Sequence, residues 1–112
     1  MGCMDGRIVI STYPDQTSAE DAARHLVGER RLAACVNLVK IKSFYIWKKK
    51  FEESEEYLAI YKTTEKKVRA LKKAVEARHP YEVPEVVEIS MSDVNSKYLS
   101  WLKEVTGDAQ LE

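Results

Sequence analysis

Two long strand-forming runs flank three consecutive lysines near the middle of the chain, and they constrain the fold more than any other feature. Residues 33–47 contain Val36, Leu38, Val39, Ile41, Phe44, Tyr45, Ile46 and Trp47 with no proline or glycine. After Lys48-Lys49-Lys50 the chain returns through residues 51–64, setting Tyr57, Ala59 and Tyr61 on one face and Leu58, Ile60 and Lys62 on the other. The pattern predicts one hairpin of two strands, each about 15 residues and therefore roughly 50 Å long. A compact domain of about 100 residues has a radius of gyration near 13 Å and is only about 35 Å across. The hairpin therefore either bends at a bulge or overhangs its own domain. An overhang carrying Phe44, Tyr45, Ile46, Trp47 and Phe51 is an aggregation hazard in a monomer, and pairing with further copies of the chain removes it.

The remaining segments supply a frame for the hairpin. Residues 7–13 are a β-branched run stopped by Pro14-Asp15, which suits a buried first strand. Thr17 and Glu20 have capping-box spacing, and Ala19, Ala22, Ala23, Leu26 and Val27 follow at helical spacing up to an expected stop at Gly28. A second helix is predicted over residues 65–78, with Val68, Leu71 and Val75 plus Ala70, Ala74 and Ala77 inward, ended by His79-Pro80. Residues 85–91 read as a fourth strand. A last helix capped by Asp93 or Ser96 carries Tyr98, Leu99, Trp101, Leu102 and Val105 and stops at Gly107. The order is βαββαβ plus a C-terminal helix, an α+β ferredoxin-like arrangement with expected strand order 4-1-3-2. Residues 1–6 read as a flexible leader, 7–107 as one domain and 108–112 as a tail. The lysine block at 48–50 and the acidic block at 52–56 are expected to pair across the hairpin.

Composition narrows the partners. Eighteen Lys and Arg balance 18 Asp and Glu among 112 residues, so the basic excess that drives general nucleic-acid or anionic-membrane binding is absent. No apolar run nears the roughly 18 residues of a membrane span. Cysteine occurs only at positions 3 and 35, which reads as a reducing compartment, and a cytoplasmic protein is expected. The chain shows no nucleophile elbow, glycine-rich phosphate loop or Ser/His/Asp set, so no enzyme is read from it. An acylphosphatase would need a glycine-lined anion loop where Pro14-Asp15-Gln16 stands, and an RNA-binding module would need a basic-glycine-aromatic signature that is missing.

Several strings accumulate in order: Leu32-Ala33-Ala34-Cys35-Val36-Asn37, Ser43-x-Tyr45-x-Trp47, Lys62-Thr63, His79-Pro80-Tyr81-Glu82-Val83-Pro84-Glu85 and Tyr98-Leu99-x-Trp101-Leu102. Together they resemble the CutA family of divalent-cation-tolerance proteins from about Ile8 to Leu102. The resemblance implies a ferredoxin-like homotrimer whose hairpins interlock around an axis, with a role in metal tolerance. It also implies an architecture similar to PII-like signalling proteins, whose intersubunit clefts suit a small effector. Family members usually carry glycine in a Trp-x-Gly-Lys tip where this chain has Lys49. Because a tight turn with φ > 0 is costly for lysine, a looser tip is expected.

Cys35 and His79 are the candidate metal ligands: thiolate and imidazole suit copper or zinc, and the resemblance places a cysteine and a histidine at these positions. No paired-ligand spacing completes a site within one chain. The competing readings are a buried small apolar residue for Cys35 and a loop histidine bonding backbone for His79. No cofactor is required, and copper or another divalent cation is the expected ligand, held weakly. Glu82 and Glu85 are either oxygen ligands beside His79 or solvated charges. Asn37 and Lys62, inside strands, are expected at intersubunit polar contacts. Tyr45, Trp47, Tyr81 and Trp101 are read as interface and core material, or as the lining of a cleft.

Overall fold

The computed structural model describes residues 5–107 and contains four strands and three helices. The strands are β1 (Gly6–Tyr13), β2 (Cys35–Trp47), β3 (Lys50–Thr64) and β4 (Val87–Ser90); the helices are α1 (Gln16–Ala23), α2 (Glu65–Arg78) and α3 (Ser96–Val105). All pairings are antiparallel and the sheet order is β2-β3-β1-β4, the expected order read from the other edge. The leader read over residues 1–6 lies outside the described residues as far as residue 4, and so does the tail at 108–112. Gly6 already belongs to β1, and Asp5 is tied to the domain through its carbonyl, which accepts from Glu65 N, and an ion pair to Lys103 at 2.9 Å.

One face of the sheet carries the core. Val9 and Tyr13 of β1 and Ala59 and Tyr61 of β3 point toward α1 and α2, where Ala19, Ala22, Leu26, Val68, Leu71 and Val75 close over them. The small alanines of α1 let that helix lie close to the strands. Within this apolar layer the hydroxyls of Tyr13 and Tyr61 hydrogen-bond to each other at 2.9 Å, which answers the requirement that buried polar atoms be paired. Burial pushes both phenols above their ordinary range. Ala70 and Ala77, expected inward, are exposed: α2 buries a stripe through 68, 71, 74 and 75 that leaves them outside it.

Several local expectations are corrected. Asp15, not Thr17, caps α1, its carboxylate accepting from Ser18 N at 2.8 Å. Gly28 does not stop the helix: the chain continues as a π-helical turn over Arg24–Glu29, and the left-handed residue is Arg31, at φ 54°. Residues 32–34 are not strand but a buried connection, held by Thr63 Oγ1 donating to Leu32 O and Ala34 N donating to Lys62 O. Asn95, rather than Asp93 or Ser96, occupies the cap position of α3, and β4 is shorter than residues 85–91.

The hairpin does overhang. The molecule measures 51 × 28 × 20 Å with a radius of gyration of 14.8 Å, above the roughly 13 Å of a compact domain this size. The strands run unbroken in register from Cys35↔Lys62 to Trp47↔Lys50. That register leaves a two-residue turn, Lys48-Lys49, with φ of 51° and 70°, so the tip is tight rather than loose. The two charge blocks do not face each other. The lysines form the tip, and the acids stand opposite Ile41 to Tyr45, with one ion pair among the described residues, Lys40 to Glu55 at 3.3 Å. β2 is an edge strand of 13 residues; Phe44 and Ile46 near its end are 58% and 67% exposed, and Phe51 of β3, opposite Ile46, is 67% exposed.

Candidate functional site

The residues singled out in the sequence fall into three places. At the base of the hairpin, Cys35 and Lys62 are cross-strand partners, and Asn37 stands two residues along the same face of β2. The Asn37 side-chain oxygen accepts from the Lys62 ammonium and lies 3.9 Å from Cys35 Sγ. Lys62 and Asn37 therefore bond to each other within one chain. Cys35 is half-buried, and Tyr98 of α3 lies near enough that the thiol, after burial, helps push its phenol upward. Trp101 is on the same helix, 40% exposed, its ring 5.6 Å from that of Tyr98.

His79 is at the far end of the same sheet. α2 ends there because the residue before Pro80 is driven to extended backbone, φ −73° and ψ 138°. This throws the imidazole back over Tyr13, with ring centroids 4.6 Å apart. Nε2 donates to Thr12 O at 2.8 Å and Nδ1 accepts from Tyr81 N at 3.1 Å, so the geometry selects the neutral Nε2–H tautomer and occupies both nitrogens. Burial holds the ring below the ordinary histidine range, against the Thr12 carbonyl and Glu56, which both push upward.

The register separates the two ligand candidates. Cys35 sits beside Lys62 and Thr12 beside Leu58, four residues along β3 or roughly 13 Å. One ion binds sulfur and nitrogen at about 2.3 and 2.0 Å, so a single chain does not bring Cys35 and His79 onto one metal. Among the described residues no group of three His, Cys, Asp or Glu side chains converges on one point.

The third place is a groove of about 580 Å³ between the sheet face away from α1 and α2 and the loop after Pro80. It brings together Tyr45, Trp47, Tyr81, Glu82 and Glu85 of the predicted set and adds Glu56 and Thr12. Glu56 is only 8% exposed and accepts from Tyr81 Oη at 2.6 Å. Burial, then Glu56, pushes the Tyr81 phenol above its ordinary range. Sequence reading placed Glu56 in an acidic block expected to pair with lysines across the hairpin. The available signal was parity, because Glu56 shares its face with Leu58 and Ile60. Tyr45 Oη bonds Ser54 Oγ at 3.1 Å on that face.

Comparison with known proteins bears on this architecture directly. The family profile described as CutA1 divalent ion tolerance protein matches residues 7–105. The divalent-cation tolerance protein CutA of Pyrococcus horikoshii is 46% identical over 99 residues, 88% of this chain and 96% of that protein. The chain belongs to the CutA1 family. The CutA homolog of Xenopus laevis is 47% identical over 95 residues, covering 84% of this chain but 62% of that longer protein. The solved structure of the periplasmic divalent cation tolerance protein CutA from Archaeoglobus fulgidus is similar at TM-score 0.86 and 34% identity, covering 90% of this chain and 98% of that one. Like the α+β CutA1 structures it matches, this chain pairs a four-stranded antiparallel sheet with three helices. No helix among the described residues is long and apolar enough to cross a membrane.

Proposed function

We propose that this CutA1-family chain works as a homotrimer of ferredoxin-like subunits that binds divalent metal such as copper weakly and takes part in metal homeostasis in the cytoplasm, without catalysing a reaction. Membership of a divalent-cation tolerance family across residues 7–105 carries the tolerance role. The β2 edge, unpaired among the described residues, and the exposed aromatic tip support assembly, since a long exposed apolar edge strand is a template for pairing with another chain. The geometry supports weak rather than tight binding. The half-buried Cys35 thiol lies beside Asn37 Oδ1, and His79 must give up its Tyr81 N–H bond before Nδ1 can ligate. Calorimetric titration with Cu²⁺ on the parent and on Cys35→Ala and His79→Ala tests this. Loss of affinity in either variant supports metal binding at these positions, and unchanged binding in both removes them.

The groove favours a second reading, a PII-like trimer that binds a small effector near the hairpin. Its volume lies in the range of small-molecule sites, roughly 300–1,000 Å³. A thermal-shift screen of small ligands addresses it, because a ligand that binds only the folded state raises the melting temperature.

A further inference from the structure

The equal numbers of acids and bases in the chain conceal an uneven layout. α2 holds six cations, Lys66, Lys67, Arg69, Lys72, Lys73 and Arg78, against two carboxylates, Glu65 and Glu76, so this one helix is strongly basic in a chain whose net charge is zero. It buries Val68, Leu71, Ala74 and Val75, and the helical repeat therefore turns Lys66, Arg69 and Lys73 outward as one stripe, with Ala70 and Ala77 beside them. All five are exposed. Lys72, on the flank, is held by Glu88, which Arg7 also engages. Lys66, Lys67, Arg69 and Lys73 enter no hydrogen bond or ion pair among the described residues. The exposed pair Arg30-Arg31 extends the start of the stripe, because the next carbonyl, Leu32 O, accepts from Thr63 Oγ1 at 2.6 Å, one residue before the Thr64 cap position of α2.

Position and chemistry select the partner. The stripe faces away from the sheet, on the side opposite the groove, and belongs neither to the hairpin nor to the β2 edge, so copies that join through those surfaces leave it on the outside. It displays no large apolar side chain: the exposed ones lie on the hairpin, the loop after Pro80, β4 and α3. A stable protein interface needs an apolar or aromatic centre, and a helix that lies in a membrane surface needs an apolar face to insert. Alanine supplies neither, and α2 has no ring on which an unpaired base could stack. What remains is positive charge, about one cation per helical turn of roughly 5.4 Å, which suits a row of phosphates. We infer that the outer face of α2, with Arg30-Arg31 at its start, docks on the phosphate backbone of double-stranded nucleic acid without reading its sequence. The balanced composition argues against a basic excess over the whole chain, and here the excess is confined to one face. Binding is accordingly weak at physiological salt, with Kd of roughly 10⁻⁴–10⁻⁶ M, and steeply salt-dependent. The inference is independent of Cys35, His79 and any metal.

Fluorescence anisotropy of a labelled DNA duplex, titrated with the full chain at a series of NaCl concentrations and neutral pH, tests it. The parent binds two unrelated sequences equally, and log K falls linearly with log[NaCl], by about 0.9 for each phosphate engaged. The variant Lys66→Gln/Arg69→Gln/Lys73→Gln, changed only at exposed positions and to a good helix former, weakens binding at least tenfold at the lowest salt and flattens the slope by about 2–3. Lys48→Gln/Lys49→Gln/Lys50→Gln makes the same change in net charge at the hairpin tip and leaves affinity and slope near those of the parent. No saturable binding at the lowest salt, an equal loss in both variants, or an unchanged slope in the α2 variant overturns the inference. So does tighter binding to phosphatidylserine-containing vesicles than to the duplex at the same salt, which assigns the face to an anionic membrane surface instead.

Discussion

Replacing Lys49 by glycine stabilises the protein. The register Trp47↔Lys50 forces a two-residue turn, and Lys48 and Lys49 occupy it with φ of 51° and 70°, as the mirror-image turns of tight hairpins require. A side chain with a Cβ pays about 1–2 kcal/mol for the left-handed region. Glycine avoids that cost but loses about 0.5–1 kcal/mol more conformational freedom on ordering. The difference leaves Lys49→Gly more stable by about 0.5–1 kcal/mol per chain. Lys50→Gly is the matched control, because Lys50 is already in β3 with no positive φ, and there only the loss of about 0.5–1 kcal/mol remains. Guanidinium unfolding at one fixed protein concentration reads both changes, the concentration being held because assembly contributes to apparent stability. The midpoint moves up for Lys49→Gly and down for Lys50→Gly, with unchanged slopes. A fall for Lys49→Gly, or shifts of the same sign in both, refutes the turn geometry.

His79 makes stability fall on mild acidification. Its folded-state value is held below the ordinary 6.5 by burial, so the unfolded chain binds the proton first. The contribution is complete above about pH 6.5 and is lost as the pH falls through the folded-state value. Urea midpoints measured from pH 7.5 to 5 show this slope in the parent and a shallower one in His79→Phe, and equal slopes contradict it. Tyr81→Phe removes the one hydrogen-bond donor to the buried Glu56 carboxylate among the described residues and costs about 1.5–3 kcal/mol, whereas Tyr81→Phe/Glu56→Gln costs less than the two single changes added together. Additivity in that cycle means that the 2.6 Å bond is not the coupling.

The fold was legible where periodicity and proline act alone. The limits of α2 follow from its apolar spacing and the His79-Pro80 stop, and the 4-1-3-2 order follows from crossover handedness. The long hairpin was legible as a length that a domain this size does not contain, and the 51 Å axis meets it. Local rules failed where tertiary demands prevailed. Gly28 offered a helix stop, but burying Leu26 carries the chain on through a π turn. Lys49 argued for a loose tip, but continuous strand pairing imposed a tight one. At the candidate sites, sequence reading found aromatic and polar residues without their grouping. Tyr45, Trp47, Tyr81 and Glu82 meet because the loop after Pro80 folds over the hairpin, a contact between segments more than 30 residues apart that has no local signature. Glu56 was hidden by its neighbours in an acidic run, although strand parity separates it from Glu53 and Glu55. The reading of His79 as a backbone-bonded loop histidine fits its geometry, since both nitrogens are occupied.

The central claim is that the exposed β2 edge and the apolar hairpin make the working unit larger than the chain. Size-exclusion chromatography with light scattering, on the full chain at micromolar concentration, tests it most directly. The account predicts a single species of three times the 12.9 kDa chain mass, and a species of one chain mass contradicts it.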